Sequence, residues 1–175
     1  MKLRSAILML LPLLAGHAAS PLSELAIGRS YYEQGEFKRA MAHFRRALAT
    51  NPDSAEVNYW TGMSYQGLSD VAAPFGGGYD SKALLYLTRA SGLAPGRAEY
   101  RRALFDFLSD SAASSPRHLR LAREMLSNTP VSDPEYGYMR RRLERESSST
   151  SSAEARFDRL FLAIPRIAVS VAAPR

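Results

Sequence analysis

The residues best suited to acid–base or metal chemistry are three histidines, His17, His43 and His118. His17 lies in an apolar N-terminal stretch, His43 on the outward face of a helical segment, and His118 near a helix start. None stands in a pattern with a nucleophile or with further metal ligands. The chain has no cysteine, which excludes disulfides, cysteine–zinc sites and lipid attachment through cysteine. Gly76–Gly78, after Phe75, form a glycine triplet, but the Gly-x4-Gly-Lys-Ser/Thr spacing that cradles phosphate is absent. The sequence therefore predicts a non-enzyme with no catalytic residues, no cofactor and no metal. Arg140, Arg141, Arg142 and Arg145 form a basic cluster that Glu144 and Glu146 partly offset. It reads as a solvated helix face or, alternatively, as a site of attraction for anionic lipid or an acidic protein.

Charge is unevenly placed along the 175 residues. The chain carries 23 Lys+Arg and 17 Asp+Glu, a net charge of +6. Residues 19–111 hold ten of each sign, whereas residues 112–175 hold eleven basic and seven acidic groups. Residues 1–18 begin with Lys2 and Arg4, continue through an apolar run from Ala6 to Ala15, and end in small residues. That is the layout of a secretory signal peptide, with cleavage expected after Ala18. The apolar run is shorter than the roughly 20 residues a membrane span needs, so an uncleaved anchor is the lesser alternative. The mature chain is expected in the periplasm or secreted. An exported chain without interleaved surface aromatics is not expected to bind nucleic acid.

These features rest on helices. Helical spacing predicts segments from about 21 to 34, 36 to 50, 55 to 68, 81 to 93, 98 to 108, 116 to 127 and 134 to 146. Gly35 and Pro52 end the first two, and Ser54 or Asp53 caps the third. The stretch SDVAAPFGGGYD, about 69–80, reads as a loop inserted into an otherwise regular pattern. Phe75 would form a lip there over one end of a groove. Ser147–Ser152 reads as a linker, and 153–175 as a short amphipathic helix and tail with Phe157, Leu160, Phe161 and Ile164 on one side.

A repeat underlies this order. Gly28, Tyr31, Ala40, Phe44, Ala47 and Pro52 are followed, 34 residues after the first pair, by Gly62 and Tyr65. Ala83, Leu87, Ala90 and Pro95 then repeat the closing set at the same internal spacing. Glycine and alanine permit close helix approach, while the large side chains fill the space beside them. These residues resemble the tetratricopeptide repeat, a helical hairpin of 34 residues that stacks into a superhelix. The aromatic residue that family carries four positions before each glycine is replaced here by Glu24 and Asn58, and Phe105 and Leu108 stand where a third unit would have glycine and tyrosine. Signal, repeats and insertion together resemble exported bacterial tetratricopeptide proteins.

The resemblance implies an all-α, right-handed solenoid of about three hairpins over 19–130, with 131–146 as an additional helix and the C-terminal helix as a cap. It also implies a non-catalytic scaffold or adaptor that holds a protein or peptide partner in a concave groove. Helical phase offers Arg29, Tyr32, Glu33, Tyr59, Met63, Gln66, Arg102 and Asp106 to that groove, although Tyr32 and Tyr59 also fit burial between repeats. The runner-up reading is a membrane-surface assembly factor docking through the arginine cluster and C-terminal segment. Partner identity and oligomeric state lie beyond the sequence.

Overall fold

The structure, a computed structural model, describes residues 21–146 and 148. The expected signal segment, nearly all of the serine run and the C-terminal helix and tail lie outside the described residues. Those that are described form helices, with no strand: α1 (Pro21–Glu33), α2 (Phe37–Thr50), α3 (Ala55–Val71), α4 (Gly77–Leu93), α5 (Ala98–Asp110) and α6 (Pro116–Ser127), followed by α7 over 136–146. They pack as the hairpins α1–α2, α3–α4 and α5–α6. The first helices also touch one another, α1 with α3 and α3 with α5, whereas α2, α4 and α6 do not meet. Helix pairs stacked in this way make a solenoid whose inner face is built from the first helices.

Local signals set the ends. Gly35, at φ 75°, closes α1: its N–H donates to Tyr32 O at 2.9 Å, and Glu36 N–H donates to Tyr31 O at 2.9 Å. A side chain at this left-handed position would be strained. The Ser54 hydroxyl accepts the Val57 N–H at 3.3 Å and starts α3, and Ser115 accepts the His118 N–H to start α6 ahead of Pro116.

Inside the first two hairpins one contact recurs. A Cβ added at Gly28 would lie 2.4 Å from Phe44 Cε1, and one at Gly62 would lie 2.7 Å from Leu87 Cγ and 3.0 Å from the Leu87 backbone nitrogen. Phe44 and Leu87 are fully buried, as are Ala40, Ala47, Ala83 and Ala90 beside them. The third hairpin exchanges bulk between its helices. Phe105 and Leu108 on α5 are buried, and the buried small residue, Ala122, is on α6.

The two polar residues at the usual aromatic position are buried and bonded. The Glu24 carboxylate lies 2.8 Å from His43 Nδ1 and accepts Arg46 Nε–H at 2.9 Å. Asn58 donates from Nδ2 to Pro52 O and Ser54 O, each at 2.8 Å, which ties the inter-hairpin turn to α3. Burial pushes the Glu24 carboxyl up, but the bonds to His43 and Arg46 outweigh it and hold the group below its ordinary 4.5.

The inserted stretch differs from the expected loop. α3 continues to Val71 and α4 begins at Gly77, which leaves only 72–76 as turn. Glycine is a poor helix former, by about 1 kcal/mol relative to alanine in a helix interior, and packing favours the helix here. Tyr79 and Tyr86 stack on Tyr65 with ring centroids 6.3 and 5.7 Å away, and Lys82 lies 5.3 Å over the same ring. Ser69 Oγ–H donates to Gly76 O at 3.1 Å.

Gly62→Ala should lower unfolding free energy by about 1–3 kcal/mol through overpacking against Leu87. Gly92→Ala, with nothing near the added Cβ, should raise it by up to about 1 kcal/mol. Urea denaturation monitored by circular dichroism reads both. Because the folded Glu24 pKa is depressed, its contribution is present above the unfolded carboxylate pKa and lost as pH falls through the folded one. The stability deficit of Glu24→Gln should therefore be full at pH 7 and shrink toward pH 3, read as urea midpoints across that range.

Candidate binding groove

Residues 59, 63 and 66 lie one helical turn apart on α3, and 99, 102 or 103, and 106 do so on α5. Where α3 and α5 meet, these faces enclose an open cavity of about 440 Å³, lined by Tyr59, Met63, Gln66, Glu99, Arg102 and Asp106, with Ala98, Ala103 and Glu135 completing it. Five of the eight residues that helical phase offers to the groove thus converge on one space. Met63, Ala98 and Ala103 give it an apolar wall.

Tyr59 is a floor rather than an exposed anchor. It is 8% exposed, its ring lies 4.8 Å from Tyr100 and 5.1 Å from Trp60, and burial together with the nearby Glu99 carboxylate pushes its hydroxyl up to about 12. Of its two sequence readings, burial between repeats is the one the structure shows. Of the other three residues, Arg29 and Tyr32 contact Trp60. Arg29 lies 4.9 Å over the Trp60 ring and donates to Glu56 at 3.4 Å. Tyr32 meets Trp60 edge-on at 5.2 Å and is half-buried, whereas Glu33 is exposed at the end of α1.

The far wall is held by polar pairs between α5 and the segment leading into α7. Arg102 donates from Nε and Nη2 to the two oxygens of Glu135, at 2.8 and 2.7 Å, and lies 4.9 Å over the Tyr138 ring. The Tyr138 hydroxyl donates to Asp106. Arg101 donates to Asp133 at 2.9 and 3.1 Å, and Arg142 donates to Asp110. Partners 32 or 33 residues apart recur along this interface, so α7 lies against α5 as the first helix of a further hairpin would.

Beyond Gln66, which lines both spaces, a second open cavity of about 650 Å³ lies between the α3–α4 and α5–α6 turns. Asp70, Asp80, Asp110, Arg117 and His118 line it, together with Ala73, Pro74, Gly76 and Gly77. Burial, and then Asp80 and Asp110, raise the Asp70 carboxyl above 3.8. Burial lowers the His118 pKa, and its Nδ1 lies 2.7 Å from Ser111 Oγ. Ala73, Pro74 and Gly76 form part of this rim, but Phe75 points into solvent at 90% exposure and does not line the cavity.

Residues 28–69 match the family model described as TPR repeat. This segment is a tetratricopeptide repeat. The matched segment runs from Gly28, through α2, into α3, and so contains the first glycine–ring contact and the Tyr59, Met63 and Gln66 side of the cavity. No curated protein matches the chain. Among the charged residues lining the cavity, the sequence reading missed Glu99 and Glu135. Glu99 was reachable, since it lies one turn before Arg102 and Ala103 on α5. Glu135 was not, because it precedes α7 and enters the cavity only through the docking of that helix on α5.

A carboxyl with a raised folded pKa favours the fold below its unfolded pKa and disfavours it once ionised. Asp70→Asn should therefore raise the melting temperature at pH 7, and the gain should vanish near pH 3, below the ordinary 3.8, in thermal melts followed by circular dichroism.

Proposed function

We propose that this protein is a non-catalytic scaffold or adaptor of the bacterial cell envelope that binds a protein or peptide partner in the groove between its first helices. Tetratricopeptide repeats are interaction modules. The observation that carries the reading is the open cavity between α3 and α5, with its apolar wall of Met63, Ala98 and Ala103 beside charged groups. A buried aromatic floor with apolar and arginine contacts above it is the make-up that interface hot spots favour. The envelope assignment rests on residues 1–18, whose pattern is that of a secretory signal.

Membrane docking through the arginine helix has less support. Arg140 pairs with Glu144 and Arg142 with Asp110, so half of that cluster is engaged within the fold.

Tyr59 and Arg102 are poor reporters of binding, because both also hold helices together. Ala98→Trp and Met63→Arg instead obstruct the cavity from its rim. With residues 19–175 immobilised, envelope extract should yield a defined partner that both variants lose while keeping wild-type circular dichroism. Retention of the same partner by both variants would reject the groove.

A further inference from the structure

Helix by helix, the charges are sorted by face. The first helices α1, α3 and α5 carry seven acidic and three basic residues, whereas the second helices α2, α4 and α6 carry nine basic and two acidic. Because the first helices build the inner face, the three hairpins from α1 to α6 turn an acidic surface inward and a basic one outward, in a chain of net charge +6. With four arginines and two glutamates, α7 ends the acidic stretch. The repeat forces this separation: a first helix and its own second helix put their solvent-facing sides on opposite faces of the stack.

Within the groove carboxylates outnumber cations: Glu99, Asp106 and Glu135 line the first cavity with Arg102, and Asp70, Asp80 and Asp110 line the second with Arg117. Arg102 is held by both oxygens of Glu135, and Arg142 by Asp110. His118, buried and with a lowered pKa, adds no positive charge at neutral pH. The carboxylates of Glu99 and Asp106 face the first cavity, and those of Asp70, Asp80 and Asp110 the second. The two cavities meet at Gln66 and form one trough. Burial, and then the neighbouring Asp80 and Asp110, push the Asp70 carboxyl up, and carboxylates gathered in this way mark a place where added positive charge is favourable.

On these grounds we propose that the trough takes an extended basic peptide segment, with lysine or arginine heads at Glu99 and Asp70 and the side-chain stems lying on Met63 and Ala103. The inference rests on the groove reading above and names the chemistry of its partner. Its physical basis is twofold. A lysine or arginine stem is apolar and covers apolar wall while its head stays at the wet, acidic rim. Complementary potential also sets association rate and discriminates against partners of the wrong sign. An acidic partner, which the net charge of the chain would suggest, is directed instead to the outer face of α2, where Lys38, Arg39, Arg45 and Arg46 lie.

The test uses residues 19–175 and three fluorescein-labelled ten-residue peptides of alanine and leucine. Their four variable positions are all lysine, all glutamine or all glutamate. Fluorescence anisotropy at 50 mM NaCl should show the lysine peptide binding about tenfold or more tighter than either of the others. Its affinity should fall about threefold or more at 300 mM NaCl. Glu99→Gln with Asp70→Asn should remove most of that preference, Ala98→Trp should weaken all groove binding, and Arg45→Glu on the outer face should leave the lysine peptide unchanged. Equal or tighter binding of the glutamine peptide, still lost in Ala98→Trp, overturns the basic assignment and leaves the groove standing. Tighter binding of the glutamate peptide, lost in Arg45→Glu and kept in Ala98→Trp, overturns the assignment and moves the site to the outer face. Binding of no peptide, or binding indifferent to every variant, removes the groove reading as well.

Discussion

Everything in this molecule follows from how closely two helices of a hairpin can approach. At Gly28 and Gly62 the facing side chains, Phe44 and Leu87, occupy the volume that a Cβ would need. Interiors packed to crystal-like density leave no slack to absorb the extra carbon. The small residues around these contacts, Ala40, Ala47, Ala83 and Ala90, are fully buried for the same reason. Close hairpins bring successive first helices into contact, and the groove is the space those helices share.

The third unit shows that the constraint is on summed volume rather than on a given residue. With Phe105 and Leu108 on α5 and Ala122 on α6, the large and small partners change places and the hairpin still closes. Past this point paired charges join the apolar packing, which Met139 and Leu143 carry on into α7. Arg101 with Asp133 and Arg102 with Glu135 dock the segment ahead of α7, while Tyr138 and Arg142 continue the contact on α7 itself. Glu135 is buried, so its pairing with Arg102 matters more than that of an exposed ion pair. The groove wall is consequently both a structural joint and a lining of the cavity.

Much of the fold was legible because its signals are local. Helical periodicity placed the seven helices of the described residues, Gly35 and the serine caps marked their ends, and a 34-residue spacing exposed the repeat. The inserted stretch was misread because glycine propensity is a weak term that stacking of Tyr79 and Tyr86 on Tyr65 overrides. Glu24 and Asn58, which look like departures from the pattern, became intelligible only with their partners in view. His43 and Arg46 come from α2, and the Pro52 and Ser54 carbonyls from the turn before α3.

The groove divides in the same way. Helical phase alone selected Met63, Gln66, Arg102 and Asp106, because residues three or four apart share a face wherever the helix packs. Phase could not tell whether Tyr59 is an anchor or a floor, since a tyrosine suits both and only the nearness of Tyr100 and Trp60 decides. Nor could the sequence reveal the acidic trough: residues 19–111 are neutral when counted along the chain. By itself the sequence determined the repeat, the helices and the faces they present. The tertiary structure decided which faces meet, and so which charges gather and which cancel. Local geometry is written in residue spacing, whereas electrostatic fields depend on distances that only the packed chain sets.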